Sequence, residues 1–386
     1  MKVNHCAASI SLRHQTILRC LGFALVIAVA AQGHSAVTYN VVDLGHIGGN
    51  YSEAFAVNEL GHATGRAVSS SGQLHAFFYN GTSMSDLGTL GGTQSEGNRI
   101  NDSDLIVGWS YNATGTARAF YAAGPMTDLG TTSGNYSLAY GVNNAGVIVG
   151  ELQGAPRPFL YNGSVNQLAD PTGTSAGTGY RARAINNSGQ IAAYVGLYSG
   201  PFAHAFIYDG ATRTDLGTLG GDVSEPWDIN ATGHVVGYSQ LVSGNGDPTH
   251  GFLYNGSTMI DLGGGAGFTV AYGINDADDV VGDTNGVAFL YQGAGLINLN
   301  TLIPALSGWT LQAARDINNN GQIVGYGSFN GAHHAFLLNP VPEPTTIVLA
   351  AVGAMAVGWS ARRKCRRNEK GRGTKRGQNG MALPEA

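Results

Sequence analysis

Lysine and cysteine are both missing from the body of this 386-residue chain, residues 37–341. Without cysteine, the body cannot hold a disulfide or a thiolate metal site, which suits an oxidising compartment where a free thiol is a liability. The three cysteines, Cys6, Cys20 and Cys365, all lie in the terminal segments. Without lysine, the body also lacks the Walker motif that binds nucleotide phosphates.

Positive charge in the body is scarce. Eight Arg stand against 22 Asp and Glu, which gives the body a formal charge of −14, and the other 12 basic residues lie at the two ends of the chain. So acidic a body repels polyanions. The sequence therefore predicts that nucleic acid is not a partner.

Motifs for catalysis are absent as well. The body contains no G-x-S-x-G, no H-E-x-x-H and no S-x-D-x-G-x-T-W sequence. Gly91-Gly92 and Gly220-Gly221 lie between short strand-like runs, so they are predicted turns rather than phosphate cradles. We expect no catalytic residue, no cofactor, no metal and no enzymatic activity.

The N-terminus has the pattern of a secretory signal. Basic residues precede an apolar run of 11 residues, 21–31, and small residues follow. A bilayer-spanning helix needs about 20 apolar residues, so the run fits a signal peptide better. We predict a signal peptide over residues 1–36, cut after Ala36, with Ala30 or Ala31 as alternative sites and a buried first helix as the alternative structure.

Three features follow one another at the C-terminus. Pro342, Glu343 and Pro344 precede residues 345–361, which carry no charge over 17 positions. As a helix this segment would be about 25 Å long, enough to cross a thin bilayer. A basic cluster follows and is expected to stay cytoplasmic, leaving the body outside; its members are Arg362, Arg363, Lys364, Arg366 and Arg367.

This order resembles the PEP-CTERM sorting signal, with Pro342, Glu343 and Pro344 as its namesake residues. The resemblance implies that residues 341–367 anchor the protein transiently and that an exosortase cuts near the tripeptide. The product would then reach the cell surface or extracellular matrix of a Gram-negative bacterium. A single-pass anchor that is never cut is the alternative. The chain departs from the pattern in continuing to residue 386, and we predict a disordered basic extension over residues 368–386.

The body repeats one pattern seven times. A β-branched residue is followed by an asparagine and a turn, and successive copies are 42 to 45 residues apart. These marker asparagines are Asn58, Asn101, Asn143, Asn186, Asn230, Asn275 and Asn318. In the fifth copy, four strand-like runs cover residues 225–230, 234–239, 250–255 and 258–262, and no helical periodicity is visible. The sequence predicts an all-β body.

Two kinds of turn are predicted, each in several of the copies. The N-x-x-G form after the marker asparagine suggests a structural role, because Asn can bond its own backbone and Gly supplies a positive φ. Asn80-Gly81, Asn162-Gly163 and Asn255-Gly256 have the form of two-residue hairpin turns.

Repeated four-stranded units of this length are typical of propeller blades. The last copy lacks a fourth strand, whereas residues 38–44 begin the chain with an unpaired one. We therefore predict a seven-bladed β-propeller over residues 37–340, closed by the N-terminal strand, which removes two exposed sheet edges. A right-handed β-solenoid is the alternative.

The amino-acid sequence of the copies resembles the HAF repeat, an exported family with no settled biochemical role. The hallmark DLGTLGG occupies residues 86–92 and recurs at 215–221, and the namesake triplet begins at His75, His204 and His334. The fourth copy departs most, because residues 168–171 replace the Asp-Leu-Gly opening. The resemblance implies an exported repeat protein.

Three features of the body are candidates for binding. The acidic turns 101–104 and 276–279 could hold Ca²⁺, but neither is a complete calcium loop, so solvated turns are predicted. His204, Phe206 and Tyr208 share a strand face and are predicted to pack between blades, with the histidine bonded to a neighbouring loop. Trp109, Trp227 and Trp309 could stack on sugars or pack in the interior; the sequence leaves both open.

The combined prediction is an exported, surface-sorted, non-enzymatic repeat protein that acts as a binding or structural component of the extracellular or biofilm matrix. Its partners would be an exosortase during processing, the membrane through its C-terminal segment before cleavage, and then exopolysaccharide or a matrix protein. A secreted propeller enzyme acting on carbohydrate is the alternative, and it would require carboxylates or histidines about 5–10 Å apart at one mouth. A matrix filler that binds nothing specific is a third possibility.

Overall fold

Short β-strands account for almost all regular structure in the computed structural model, which describes residues 37–130, 136–152, 157–167, 178–197, 203–242, 248–265 and 267–342. These belong to one unit, Thr38–Val341, apart from the two residues at its edges. The predicted signal peptide, the chain from Glu343 through the basic cluster, and the extension 368–386 lie outside the described residues.

The strands follow one another along the whole body, and one 3-10 turn (Leu299–Thr301) interrupts them. In chain order they are β1 (Thr38–Asp43), β2 (Gly48–Val57), β3 (Ala63–Ser69), β4 (Leu74–Tyr79), β5 (Met84–Asp86), β6 (Gly91–Ile100), β7 (Ile106–Asn112), β8 (Ala117–Ala122), β9 (Met126–Asp128), β10 (Ser137–Val142), β11 (Ile148–Leu152), β12 (Arg157–Tyr161), β13 (Val165–Gln167), β14 (Thr178–Ile185), β15 (Ile191–Leu197), β16 (Ala203–Tyr208), β17 (Arg213–Gly217), β18 (Ser224–Ile229), β19 (Val235–Gln240), β20 (Thr249–Tyr254), β21 (Met259–Asp261), β22 (Thr269–Ile274), β23 (Val280–Thr284), β24 (Val287–Tyr291), β25 (Leu296–Asn298), β26 (Trp309–Ile317), β27 (Ile323–Phe329) and β28 (Ala332–Val341).

The all-β prediction is confirmed. In the fifth copy, β18 to β21 lie within one residue of the four strands expected from the sequence. Among the described residues, no helix is long and apolar enough to cross a membrane. The predicted membrane segment, residues 345–361, is outside that part of the chain.

The strands form six sheets. Five contain four consecutive antiparallel strands each, namely β6–β9, β10–β13, β14–β17, β18–β21 and β22–β25. The sixth has eight strands, in which β26, β27, β28 and β1 form one antiparallel group and β2 to β5 another. A single parallel bridge, between Tyr51 and His333, joins the two groups. Strand β1 pairs with β28 over six residues, with Thr38 opposite Val341 and Asp43 opposite Phe336.

Apolar side chains pack between consecutive sheets. One cluster combines Ala205 and Ile207 of one sheet with Val235 and Phe252 of the next. The phenylalanine of each third strand is almost completely buried, at Phe77, Phe120, Phe159, Phe206, Phe252, Phe289 and Phe336. The predicted packing role of the aromatic position is therefore confirmed.

Each marker asparagine organises the turn that follows it. In the third copy the side-chain oxygen of Asn143 accepts hydrogen bonds from Ala145 N and Val147 N, at 3.1 and 3.0 Å. Gly146 closes the turn with a φ of 76°, and its N–H donates to Asn143 O. The structural role predicted for this asparagine is confirmed.

The same asparagines connect neighbouring copies. Each side-chain Nδ2 donates to the main-chain oxygen of the next marker asparagine, for example from Asn101 to Asn143 at 3.0 Å. The other links run from Asn58 to Asn101, Asn143 to Asn186, Asn186 to Asn230, Asn230 to Asn275 and Asn275 to Asn318. Asn318 donates to Asn58 at 2.8 Å, so the series returns to its first member.

The predicted two-residue hairpin turns are wrong. Strand β4 ends at Tyr79 opposite Met84, so four residues connect them, and four likewise follow Tyr254. The reason is the asparagine side chain, since Asn80 Oδ1 accepts from the N–H groups of Thr82 and Ser83 and thereby widens the turn. True two-residue turns occur instead at 285–286 and 330–331, where both residues have positive φ.

We expect Asn143→Ala to lower the free energy of unfolding by about 1–3 kcal/mol, because two turn N–H groups and one link between copies lose their partner. Urea denaturation of the wild type and variant measures the change. Asn166→Ala is the matched control, since the Asn166 side chain is exposed and, among the described residues, bonds only to Asn162 and Ser164. Equal midpoints for Asn143→Ala and the wild type would contradict the role given to the asparagine.

Candidate functional site

A β-bulge precedes every marker asparagine. The first strand of each four-strand group shifts register around the residue three positions before the asparagine, for example around Trp227, between Pro226 and Asp228. Bulged residues lose their ladder partner and are turned out of the regular alternation. The seven bulged residues are Phe55, Asn98, Tyr140, Arg183, Trp227, Tyr272 and Arg315.

All seven bulged side chains line one cavity of about 150 Å³, together with Glu96 and Arg99. The cavity therefore receives one residue from each copy, at a position that is uniform in geometry and varied in chemistry. Its lining contains three arginines and one carboxylate. We call it the bulge cavity.

Aromatic rings hold two of these arginines. The Arg315 guanidinium lies 3.9 Å from the ring centre of Tyr272 and 5.2 Å from those of Phe55 and Trp227. Arg183 lies 4.7 Å from the ring centre of Trp227 and 4.9 Å from that of Tyr140. Guanidinium groups stack well on aromatic faces, so both cations are fixed before anything binds.

Most charges near the bulge cavity are already paired. Arg183 forms an ion pair with Glu225. Glu96 accepts from Arg66 at 3.0 Å, and burial raises the pKa of its carboxyl group while Arg66 opposes that rise. Within the described part of the chain, Arg315 has no carboxylate within 4 Å and no hydrogen-bond acceptor.

Buried N–H donors without an acceptor occur on the same wall. Among the described residues, Arg183 Nε and Trp227 Nε1 are buried and have no hydrogen-bond partner. Both side chains line the bulge cavity. A buried donor without a partner is unfavourable, so this wall is suited to an oxygen-rich ligand.

A charged cluster lies one residue further along the strands. Arg99 of the second copy contacts Asp228 of the fifth at 3.1 Å and Asp316 of the seventh at 3.5 Å. Asp316 Oδ2 also accepts from Val57 N, in the first copy, at 3.0 Å. Four copies therefore meet at this cluster, although their residues are far apart in sequence.

Burial dominates the acid–base behaviour of this cluster. It raises the pKa of Asp316 to about 7, against the opposing charge of Arg99, and Asp228 adds to the rise. Burial also raises the pKa of Asp228. Two buried carboxylates share one guanidinium, so the protonated form of Asp316 is favoured over its ordinary, ionised form.

A second cavity, of about 180 Å³, lies at the marker asparagines and is again lined by all seven copies. Its rim carries the acidic turns. Asp102 Oδ1 accepts from Glu59 N at 3.0 Å, and Asp276 Oδ1 accepts from Ala231 N at 2.9 Å. The prediction of merely solvated turns is incomplete, because these carboxylates join neighbouring copies.

No metal site emerges from these groups. Among the described residues, no three His, Cys, Asp or Glu side chains come together as metal ligands would. Asp104 instead bonds Asn58 Nδ2 and His62 Nδ1, each at 2.8 Å.

The namesake histidines pair with the aspartate of the Asp-Leu-Gly sequence. His75 contacts Asp86 at 2.9 Å, and both belong to the same sheet. The same pair occurs between His204 and Asp215, His250 and Asp261, and His334 and Asp43, the last across β28 and β1. The prediction of a bond to a neighbouring loop is thus wrong in its partner. A constant spacing of eleven residues in three of the pairs was the signal that sequence reasoning missed.

The three tryptophans have different surroundings. Trp227 lines the bulge cavity. Trp309 stacks on Phe329 with ring centres 4.9 Å apart, and Trp109 lies edge-on to Tyr111 at 5.3 Å. Trp227 is thus the tryptophan that the structure places at the bulge cavity.

Comparison with known proteins supports the C-terminal prediction. Residues 340–364 match the PEP-CTERM protein-sorting motif, a stretch that includes Pro342, Glu343, Pro344 and Arg362 to Lys364. Such a motif implies processing by an exosortase, export and surface sorting in Gram-negative bacteria. The resemblance of the body to HAF repeats stays a prediction. No curated protein matches the chain in sequence.

Solved structures with a similar fold include several proteins of different activity. A gluconolactonase from Xanthomonas campestris has 11% identity and a TM-score of 0.38, covering 78% of this chain and 90% of that one. A sialidase from Trypanosoma rangeli has 10% identity and a TM-score of 0.37, covering 84% and 58%. A putative TolB from Agrobacterium tumefaciens has 11% identity and a TM-score of 0.34, covering 80% and 100%. Likenesses this distant say nothing about the activity of this protein.

The charged cluster predicts a pH dependence. Between about pH 4, the pKa of an unfolded Asp, and pH 7, the folded protein keeps a proton on Asp316 that the unfolded chain releases. Its contribution to the free energy of unfolding therefore falls as pH rises, by at most about 1.4 kcal/mol per pH unit, and levels off above pH 7. Asp316→Asn should remove this slope in guanidinium denaturation between pH 4.5 and 8.

Asp102→Asn is the matched control for that measurement, because Asn144 and Asn187 already stand at the equivalent position of the next two copies. It should keep the wild-type slope. If Asp316→Asn kept it too, the proton would not reside on this cluster.

Proposed function

We propose that this protein is an exported, non-enzymatic, seven-bladed β-propeller that an exosortase delivers to the cell surface, where it binds a component of the extracellular matrix. The observation that carries the proposal is the convergence of seven bulged residues on one arginine- and aromatic-lined cavity. A binding protein would use a site to which every copy contributes, whereas a matrix filler that binds nothing specific would not need one.

Closure of the ring is supported by contacts between the last and first copies. The pairing of β1 with β28 gives the seventh group its fourth strand. Ala335 N donates to Ser52 Oγ at 3.0 Å, as Ala76 N donates to Ser95 Oγ between the first and second copies. A closed ring leaves only the short outer strands of the sheets as edges, which limits edge-to-edge aggregation outside the cell.

A binding role is supported over catalysis by the state of the carboxylates. The acidic residue lining the bulge cavity, Glu96, is held by Arg66, and Asp316, whose pKa burial raises to about 7, is not among the residues that line this cavity. A general acid or base needs a carboxylate free to exchange a proton with substrate. The alternative, a propeller enzyme acting on carbohydrate, would depend on freeing one of these groups.

The sorting motif supports the route to the surface. After export on the signal peptide, residues 345–361 would anchor the protein in the membrane with the basic cluster in the cytoplasm. Cleavage near Pro342–Pro344 would then release the body, which ends at Val341.

Intact mass and cell fractionation test this route, using producing strains with and without the exosortase. We expect a product ending near Pro342–Pro344, at the surface or in the medium, only where the enzyme is present. Glu343→Ala should give the uncut membrane form in both strains, whereas Glu369→Ala, beyond the basic cluster, should be processed normally. An uncut, membrane-bound wild type in both strains would contradict the proposal.

A further inference from the structure

The chemistry of the bulge cavity identifies a ligand more closely. Resting on the function proposed above, we propose that this cavity takes the carboxylate of one acidic sugar ring at the end of a polysaccharide chain, with Arg315 as its anchor.

Arg315 carries a positive charge that would attract an anionic ligand. Within the described residues its guanidinium contacts the rings of Phe55, Trp227 and Tyr272 but no carboxylate. A guanidinium presents parallel N–H groups that match the two oxygens of a carboxylate, and stacking on Tyr272 fixes their orientation. Arg99 and Arg183, in contrast, are already paired with acids.

Further donors favour a ligand with several oxygens. Arg183 Nε and Trp227 Nε1 are buried on the cavity wall without an acceptor in the described part of the protein. A simple carboxylate can bond Arg315, whereas hydroxyl and ring oxygens of a sugar would also satisfy these two donors once the side chains turn their N–H groups toward the cavity. Recognition of this kind discriminates strongly, because a ligand lacking the oxygens leaves buried donors unpaired.

Size restricts the ligand to one ring. The cavity measures about 150 Å³. Cavities of about this volume hold a single six-membered ring such as benzene. A uronic acid, a pyranose with one carboxylate, fits this description.

Charge repulsion favours a ligand that carries a single negative charge and lies at the end of a polysaccharide chain. The body carries a formal charge of −14, so a polyanion lying along its surface would be repelled. Glu96, and Asp283 beyond Tyr272, also lie close enough to influence the charge at the site. A monoanion is therefore favoured over a phosphate, which carries close to two charges.

The test is isothermal titration calorimetry on the full chain in mild detergent. The probes are glucuronate, glucose as the neutral ring, N-acetylalanine as the carboxylate of a peptide end, and inorganic phosphate. We expect glucuronate to bind at least about tenfold more tightly than each other probe, since a charge-assisted bidentate pair is lost or misplaced in each. Equal or tighter binding of glucose, N-acetylalanine or phosphate would overturn the proposal.

Variants then place the ligand on Arg315. Arg315→Met should weaken glucuronate binding by about tenfold or more. Arg213→Met is the control, because Arg213 also stacks on a ring, that of Phe206 at 4.5 Å, outside the bulge cavity. Should Arg315→Met fail to fold, Arg315→Lys keeps the charge but loses the fork, and weaker binding by this variant is again expected. Unchanged affinity in a folded Arg315 variant would overturn the assignment.

Failure of this inference can be separated from failure of the proposed function. A wild-type protein that is processed, reaches the surface and retains exopolysaccharide, but does not bind glucuronate, would overturn the inference alone. Glucuronate binding by a protein that is never processed would support the inference and overturn the proposed route to the surface.

Discussion

A buried asparagine in every copy has to satisfy its carboxamide without water, and much of the architecture follows from how it does so. Its oxygen accepts two N–H groups of its own turn, and its Nδ2 donates to the main chain of the next copy, as Asn143 does to Asn186. One side chain therefore fixes the local turn and the position of the neighbouring sheet together. A buried amide without a hydrogen-bond partner is costly. Shifting one copy would therefore be unfavourable, because it would break hydrogen bonds in that copy and in its neighbour. The regular spacing of 42 to 45 residues reflects this constraint.

The asparagines leave a nearby position of each first strand free to vary. Three residues before each asparagine, the bulged position holds Phe, Asn, Tyr, Arg, Trp, Tyr and Arg in successive copies, whereas the asparagine is the same in all seven. A uniform scaffold thus presents a varied lining to the bulge cavity. Between the bulged residues and the asparagines, Arg99 forms ion pairs with Asp228 and Asp316. Charged rather than apolar side chains therefore meet in the interior at this level. The asparagine that joins neighbouring copies and the residue that lines the bulge cavity are therefore different positions, three residues apart, in each copy.

Local pattern was enough to predict the strands, the asparagine turns and the buried phenylalanines, because each depends on neighbours within one copy. The bulge cavity could not be predicted in this way. A bulge interrupts the alternation on which strand prediction depends, so Trp227 and its equivalents had no assignable face. Arg99 contacts residues 128 or more positions away in the sequence, and no short-range signal marks these contacts. The histidine–aspartate pairs could be predicted in part. Three of them have a visible spacing of eleven residues, whereas His334 meets Asp43 only when the two ends of the body pair.

Hydrogen–deuterium exchange of the full-length protein tests the account most directly, because it reads the protection of each strand separately. If β1 belongs to the seventh blade, those amides of Thr38–Asp43 that face β28 should exchange as slowly as the amides of β28 and of the inner strands of other sheets. The asparagine turns of the first and seventh copies should match those of the middle copies. Fast exchange confined to β1, β28 and the turns at Asn58 and Asn318 would show an open array of sheets and contradict the ring.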